Sequence, residues 1–149
     1  MADRKETIGR YVSVLYRSAG SYLSKELSRY NIGSGQFTFL LYLYNHHGVT
    51  QENMSSHLYI DKGTTARAIK KLEDFGYVYR ITDETDRRAF KVYVTEKAQS
   101  IKHELYGILE KWNIIITADF TKDEFDATLL LLQRMVRNKN NFLSKGDNK

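Results

Sequence analysis

Two clusters of cationic side chains are the residues best suited to chemistry in this sequence. Between positions 62 and 71 there are four cations and no acid: Lys62, Arg67, Lys70 and Lys71. A second cluster, Arg87 and Arg88, lies in a wholly polar stretch further along the chain. Lysine and arginine neutralise phosphates, and arginine also enters narrow, electronegative minor grooves of DNA. The two clusters therefore favour a polyanion such as double-stranded DNA as the ligand.

The elements around the first cluster predict a helix-turn-helix. Thr50 caps a short helix whose apolar points are Met54 and Leu58, and Asp61 caps the next one. Phe75-Gly76 ends this second helix, because glycine readily takes the left-handed conformation that follows a helix. Only a few residues separate the two helices, which is the spacing of a helix-turn-helix.

The second helix of this pair, here called the reader helix, is the candidate for the major groove. Its apolar positions, Ala66, Ile69 and Leu72, predict the buried side. The remaining positions are predicted to be exposed and to contact DNA: Lys62, Gly63, Thr64, Thr65, Arg67, Lys70 and Lys71. Gly63 has no side chain, so backbone can approach DNA closely there.

Two strand-like runs follow the reader helix. Residues 77–82 and 89–94 are rich in aromatic and β-branched residues, and residues 83–88 between them are polar. This pattern predicts a β-hairpin, or wing, with Arg87 and Arg88 at its tip. Asp86 is placed to hold one of the two guanidinium groups. The residues leave open which arginine enters the minor groove.

The stretch LYIDKGTTARAIKKLEDFGYVYRITDETDRRAFKVYVTEKA, residues 58–98, resembles the core of the MarR family of bacterial transcriptional regulators. DKGTTARAIKKLEDFGYV is similar to the family's reader helix, and DETDRRAFKVYVTEKA to its D-x-x-D-R-R wing signature. The sequence departs at Ala66, where the family often has a hydroxyl residue, and at Ala98, where glycine is usual. The resemblance implies that Thr64, Thr65 and Arg67 face the major groove and that Asp86 pairs with Arg88 in the wing.

The flanking segments predict further helices in a single domain spanning residues 1–149. A long amphipathic helix begins at Thr7, Ser34 caps a second that Gly48 closes, Thr95 caps a long one, and Thr121 opens a last helix. The fold class is therefore mainly α with a small β-hairpin. A winged helix-turn-helix lobe, residues 34–95, lies between helices of the dimerisation type, residues 7–33 and 96–143.

The apolar faces of the outer helices exceed what one small winged helix covers, which predicts a homodimer. The residues that need partners are Trp112, Ile115, Ile116, Phe120, Leu130, Leu131 and Phe142. A two-fold dimer places two reader helices about 34–36 Å apart, so the expected site is a pseudo-palindrome.

Composition excludes several classes of function. The chain has no cysteine, which removes disulfides and thiolate metal sites, and its four histidines show no metal-binding spacing. It has no P-loop, dinucleotide fingerprint or nucleophile elbow, so we expect neither an enzyme nor a bound metal or cofactor. The formal net charge of +5 adds little, because many enzymes are as basic. Without a signal peptide or membrane span, we expect a cytoplasmic protein that makes no membrane contact.

The main hypothesis is a sequence-specific DNA-binding transcriptional regulator, and more specifically a repressor that a small molecule releases from DNA. The resemblance implies an aromatic or phenolic effector, and helix tyrosines are the candidates to line its pocket: Tyr11, Tyr16, Tyr42 and Tyr44. The alternative is a winged-helix module for protein contacts or for non-specific, architectural DNA binding. A small-molecule enzyme or carrier is a third hypothesis that no set of residues supports.

Overall fold

The computed structural model describes residues 6–146, with side chains for residues 6–144. The chain divides into two compact units between Trp112 and Asn113. The first unit contains α1 (Ile8–Leu27), a 3-10 turn (Ser28–Tyr30), α2 (Ser34–Asn45), β1 (Val49–Thr50), α3 (Gln51–Leu58), α4 (Lys62–Asp74), β2 (Val78–Thr82), β3 (Phe90–Val94), α5 (Glu96–Ser100) and most of α6 (Lys102–Ile116). The second contains the end of α6 and α7 (Lys122–Gly146). The mainly helical fold class with a small hairpin is confirmed.

Side-chain caps set the start of α1 and α2. Thr7 caps α1 as predicted, since its Oγ1 accepts a hydrogen bond from the backbone N–H of Arg10 at 3.2 Å. The prediction that Ser34 caps α2 is wrong. Gly33 holds the cap position, and its N–H donates to Oε1 of Gln36 at 2.8 Å, so Ser34 is the first helical residue. Such a glutamine bond satisfies one of the free N–H groups at a helix start.

The prediction that Gly48 closes α2 is wrong, because the last helical residue is Asn45 and His46 is the C-terminal cap. Gly48 lies in the following turn with a φ of +65°, and a Cβ there would come within 2.7 Å of the Tyr93 hydroxyl oxygen. Glycine is needed at this position for both reasons, because other residues rarely adopt that conformation and no space exists for a side chain. The turn thereby brings the chain back to the sheet as β1.

The wing belongs to a three-stranded antiparallel sheet with strand order β1-β3-β2. Val49 of β1 pairs with Val92 of β3, and Val92 pairs on its other side with Arg80 of β2. The sequence predicted the hairpin of β2 and β3 but not β1, because two residues are too few to show a strand pattern. Thr50 both ends β1 and caps α3, so the sheet and the helix-turn-helix share one residue.

A continuous core lies between α2, α4, the sheet and the start of α6. Its largest fully buried side chains are Phe37, Phe39, Leu27, Leu40, Leu43, Met54, Ile69, Leu72, Leu105, Val78 and Val92. The buried Tyr44 ring donates its hydroxyl to the carbonyl of Ala98 at 2.6 Å, and burial raises its pKa. Tyr77 likewise donates to the carbonyl of Tyr30 at 2.6 Å. Buried hydroxyls of this kind are tolerated because each finds an acceptor.

The long helix expected after the wing is broken. Thr95 caps it as predicted, but α5 ends after five residues, and Ile101 (φ −104°, ψ 3°) separates it from α6. Neither glycine nor proline marks the break in the sequence. Thr121 and Glu124 form the predicted capping box, with the Thr121 N–H donating to the Glu124 carboxylate at 2.8 Å. That bond lowers the pKa of Glu124.

Most apolar residues predicted to need partners are exposed within the unit to which each belongs. Exposed fractions are 56% for Ile115, 63% for Leu130 and 78% for Phe142. Trp112 differs, because its ring packs on Tyr22 with ring centroids 5.3 Å apart. The last helix extends beyond the predicted bound of residue 143 as far as Gly146, and residues 147–149 lie outside the described residues. Across the described residues, no helix is both long and apolar enough to cross a membrane.

Candidate nucleic-acid interface

The turn between α3 and α4 is fixed by local hydrogen bonds. Tyr59 takes the left-handed conformation (φ 55°), and Ser55 Oγ donates to the carbonyl of Ile60 at 2.6 Å. Asp61 then caps α4 as predicted, since its Oδ1 accepts the Thr64 N–H at 2.8 Å. Hydrogen bonds from Thr64, through its side chain and its backbone, hold the pKa of Asp61 below its usual range. The carboxylate is therefore charged at neutral pH and fixes where the reader helix begins.

One face of α4 is buried, and it is wider than predicted. Thr65, Ala68, Ile69 and Leu72 lie in the core. The prediction that Thr65 faces DNA is wrong, because its side chain is fully buried and its hydroxyl donates to the Asp61 carbonyl at 3.0 Å. Ala66 is only half-buried, so Ala68 takes the core position expected of it. A buried threonine is satisfied by such a bond to the preceding turn.

The opposite face of α4 carries the remaining predicted contact residues. The exposed ones are Lys62, Gly63, Arg67, Lys70 and Lys71, with Thr64 half-buried beside them. Arg67 donates through Nη2 to Thr64 Oγ1 at 3.0 Å. A Cβ at Gly63 would lie 3.4 Å from Arg67 Nη1 and 3.3 Å from Asp61 Oδ1, so the glycine leaves the arginine room to lie along the helix start.

Two of these cations are already paired with carboxylates. Lys62 Nζ lies 2.7 Å from Glu52 Oε1 of α3, and Lys70 pairs with Asp74 one turn along α4. The salt bridges found in the described part of the chain do not involve Arg67 or Lys71. A groove of about 200 Å³ separates these two cations from Gly35 and Gln36 at the start of α2. Arg67 and Lys71 thus lie on the α4 side of a groove whose α2 side is uncharged.

Two aspartates shape the wing loop. Asp83 is buried, and its Oδ1 accepts the Thr85 N–H at 2.9 Å and the Thr85 hydroxyl at 2.7 Å, which lowers its pKa. Asp86 Oδ1 accepts the backbone N–H of Arg88 at 3.0 Å. Asp86 and Arg88 are therefore joined as the resemblance implied, but through the Arg88 backbone. Arg87 and Arg88 are both exposed at the tip. The role of Asp83 was missed, although an aspartate two residues before a threonine is a recognisable turn signal.

An ion pair that the sequence did not predict joins α4 to the wing. Arg80 of β2 donates to both carboxylate oxygens of Glu73, at 3.0 Å and 2.6 Å, and both side chains are only about 30% exposed. The Arg80 guanidinium also lies over the Phe90 ring, 5.4 Å from its centroid. Two parallel bonds fix orientation as well as distance, so the pair aligns the reader helix with β2.

The four tyrosines predicted to line an effector pocket are not brought together. The Tyr11 hydroxyl donates a hydrogen bond to the Glu6 carboxylate. The Tyr42 ring stacks on the His46 ring with their centroids 4.0 Å apart, and Tyr44 is buried. Tyr16 borders a cavity between α1, α2 and the start of α4, and the other three tyrosines do not line that cavity. Among the described residues, no group of three or more histidine, cysteine or acidic side chains is arranged to hold a metal ion.

A helix-turn-helix with an exposed cationic reader face, followed by a hairpin with two arginines at its tip, defines a winged-helix DNA-binding protein. Comparison with known proteins narrows the class. The sequence model of the MarR family matches residues 32–90. A MarR transcriptional regulator from Methanosarcina mazei Go1 is 42% identical, with a TM-score of 0.88 over 91% of this chain and 97% of that one. The chain belongs to the MarR family.

Two further relatives agree with this assignment. The HTH-type transcriptional regulator BilQ from Clostridioides difficile (strain CD3) is 28% identical over 120 residues, which are 80% of this chain and 81% of that protein. A MarR-family regulator from Listeria monocytogenes, solved with a 26mer DNA, is 26% identical, with a TM-score of 0.86 and 97% of both chains covered. The protein is accordingly a DNA-binding transcriptional regulator and not an enzyme.

The bond between Glu73 and Arg80 gives a stability prediction. Arg80→Gln leaves the half-buried Glu73 carboxylate without its cation, so the free energy of unfolding falls by about 1–2 kcal/mol, allowing for solvent screening. Asp74→Asn is the matched control, because it breaks the exposed pair with Lys70 and changes that energy by less than about 0.5 kcal/mol. Urea denaturation of both variants measures the difference. Equal losses in the two variants would show that the bidentate geometry contributes nothing.

Proposed function

We propose that this protein is a repressor that binds a pseudo-palindromic operator sequence-specifically as a homodimer and that a small molecule releases it. One observation carries the proposal: the exposed face of α4 and the wing tip both present cations, and the bidentate pair of Glu73 and Arg80 ties the two together. A helix in the major groove reads base edges, and an arginine in the adjacent minor groove reads groove width.

Within the reader helix, Arg67 is the residue that we assign to base reading. It is exposed, and its bond to Thr64 holds the guanidinium near the start of α4, the part of a reader helix that meets base edges. Lys71 and Lys70, one turn further along, are assigned to phosphates. Arginine donates two parallel bonds to guanine, whereas lysine acts as a point charge.

At the wing tip, we assign the minor groove to Arg87. Arg88 borders a crevice against Thr50, Gln51, Glu52 and Asn53, and its backbone N–H is bonded to Asp86. Arg87 does not line that crevice. A side chain free to extend from the tip is better placed for the narrow groove of an A·T tract.

The DNA assignment is tested by comparing the affinity of variants for selected and random duplexes. Arg67→Ala should weaken binding to a duplex that the wild-type chain selects from a random pool by about 1–3 kcal/mol and relax the sequence preference. Arg87→Ala should mainly remove preference for A·T pairs flanking the half-sites. Lys111→Ala, an exposed cation on α6, is the control and should leave both unchanged.

Fluorescence anisotropy with selected and random duplexes separates the outcomes. If random DNA displaces the selected duplex at equal concentration, binding is architectural and the operator proposal fails. If Lys111→Ala weakens binding as much as Arg67→Ala, the assigned surface is wrong.

A homodimer is supported by exposed apolar residues at both ends of the chain. On α1 they include Ile8, Tyr11, Val12 and Leu15, and on α7 the run Leu129–Leu132 is 43–63% exposed. Several large apolar side chains exposed together on one helix mark an interaction site. A second copy of the chain is the proposed partner, because an isologous interface covers the same residues on both copies and supplies the second reader helix.

Leu131→Glu tests the dimer. A charge in this exposed apolar run should convert the wild-type particle, expected at twice 17.4 kDa, into a monomer of 17.4 kDa. Gln99→Glu adds the same charge at an exposed position of α5, outside the apolar run, and should leave the mass unchanged. Light scattering gives the mass directly. A wild-type mass of one chain would contradict the proposal.

An effector site is supported by the cavity that Tyr16 borders. It measures about 500 Å³, within the range of small-molecule sites, and its wall includes Arg17, Leu23, Phe39 and Thr64. The aromatic and aliphatic groups suit a phenyl ring, and the Arg17 guanidinium suits a carboxylate. Thr64 belongs to the reader helix, so a ligand in the cavity would contact that helix directly and could change its position.

The effector proposal is tested with 4-hydroxybenzoate as the probe. It should raise the melting temperature of the free protein and weaken DNA binding about 5- to 150-fold, the usual range of allosteric coupling. Gly20→Leu extends a side chain into the cavity, where a Cβ meets nothing within 4 Å, and should abolish both effects. Gly20→Ala is the matched control and should retain them. Unchanged DNA affinity at saturating probe would contradict the proposal.

A further inference from the structure

Glu52 is an acidic residue on a surface that otherwise recruits cations for DNA. It lies in the first turn of α3, directly after the Thr50 cap. Its Oε1 is 2.7 Å from Nζ of Lys62, the first residue of the reader helix. Both side chains are at least 70% exposed, so the pair faces solvent where DNA would approach.

The Glu52 carboxylate is charged at neutral pH. The hydrogen bond from Lys62 and the attraction of its ammonium group lower the pKa of Glu52. The start of α3 carries a partial positive charge, which also favours an anion at this place. The Lys62 ammonium therefore already holds a carboxylate in the position relative to it that a phosphate oxygen takes when lysine binds DNA.

The neighbouring carboxylates have different partners. Glu52 shares a crevice of about 480 Å³ with Asp83, Asp86 and Arg88 of the wing. Asp83 is bonded to Thr85 and lies 3.6 Å from Nζ of Lys91 in β3, and Asp86 is bonded to the Arg88 backbone, so both stabilise the wing itself. Glu52 is bonded to a lysine of the reader helix instead. Of the three, Glu52 is the carboxylate that pairs with a cation of the reader helix.

We propose that Glu52 acts as an internal competitor that limits how strongly Lys62 binds DNA phosphates. The competition weakens binding to DNA of any sequence, because Lys62 must leave the carboxylate before it can neutralise a phosphate. Non-specific binding rests almost entirely on phosphate contacts, whereas specific binding adds base contacts. Because this sequence-independent part of the affinity falls, random duplexes are left unbound at a protein concentration at which a duplex that adds base contacts is still bound. The inference rests on the proposed DNA-binding surface.

The test compares Glu52→Gln with wild type on a random duplex and on the duplex selected by wild type, from about 50 to 200 mM salt. Glu52→Gln should tighten binding to random DNA about 1.5- to 5-fold, the range that one exposed ion pair supplies. The plot of log affinity against log salt should steepen by about one unit, as expected for one more neutralised phosphate. The ratio of the affinities for the selected and the random duplex should stay level, because both gain the same phosphate contact.

Two further variants make the result specific. In a Lys62→Gln background the gain from Glu52→Gln should shrink, because the released cation is missing. Glu110→Gln, which removes one exposed carboxylate from α6, should tighten binding less and leave the salt slope unchanged. Because the pair is exposed, circular dichroism should show the same fold in every variant.

Three results would overturn the inference. An unchanged salt slope in Glu52→Gln means that Lys62 gains no phosphate. An equal gain in Glu110→Gln means that only net charge matters. A loss confined to the selected duplex means that Glu52 itself reads a base, since a carboxylate accepts from cytosine. If the wild-type protein binds no duplex, the proposed DNA-binding function itself is wrong. That outcome differs from the three above, in which the protein binds DNA but Glu52 does not compete for Lys62.

Discussion

The burial of one face of α4 is the constraint on which the rest of the surface depends. Ile69 and Leu72 are buried in the core, and Thr65 is locked to the Asp61 carbonyl. Because this face of α4 is packed into the core, the helix cannot rotate about its axis. Arg67 and Lys71 therefore lie on the opposite, exposed face. The Asp61 cap sets the first residue of the same helix and thereby its register along the axis. DNA recognition requires both to be fixed, since a base contact tolerates little displacement.

The same packing positions the wing. Gly76 (φ +76°) turns the chain directly from α4 into β2, and Tyr77 and Val78 continue the core that α4 begins. Glu73 and Arg80 then close the outer side of that corner. A two-stranded hairpin is only marginally stable alone, and here β1 adds a third strand while α4 covers one face. The wing is thus an extension of the reader helix's own core and not an independent element.

Much of this was predictable because the signals are local. Thr50, Asp61, Thr95 and Thr121 all cap helices as their sequence contexts indicate, since a cap depends on residues three positions away. The hairpin followed from composition. Thr65 was misassigned because a threonine is equally suited to an exposed contact and to a buried bond with the preceding turn. Only the packing of α4 against the core decides between the two, and periodicity counts threonine as polar.

Several features were not predicted because they depend on contacts between residues that are distant in the chain. The bonds from Tyr44 to Ala98 and from Lys62 to Glu52 join positions that no sequence period connects. The partners of the predicted tyrosines were not apparent from the sequence either: Tyr11 bonds to Glu6, Tyr42 stacks on His46, and Tyr44 bonds to Ala98. β1 and the break at Ile101 lie below the length that a pattern can reveal.

The distribution of charge also explains why net charge was a poor guide to function. The excess of +5 is modest, and two of the reader helix's cations are already paired with carboxylates. What distinguishes the surface is where the carboxylates lie. Asp61 and Asp83 accept hydrogen bonds from backbone and hydroxyl donors, and these bonds organise the helix start and the wing loop. Screening within about 8–10 Å means that such local arrangements decide what a phosphate meets. A protein can therefore bind DNA through a few correctly oriented cations while its acidic residues build the scaffold that holds them.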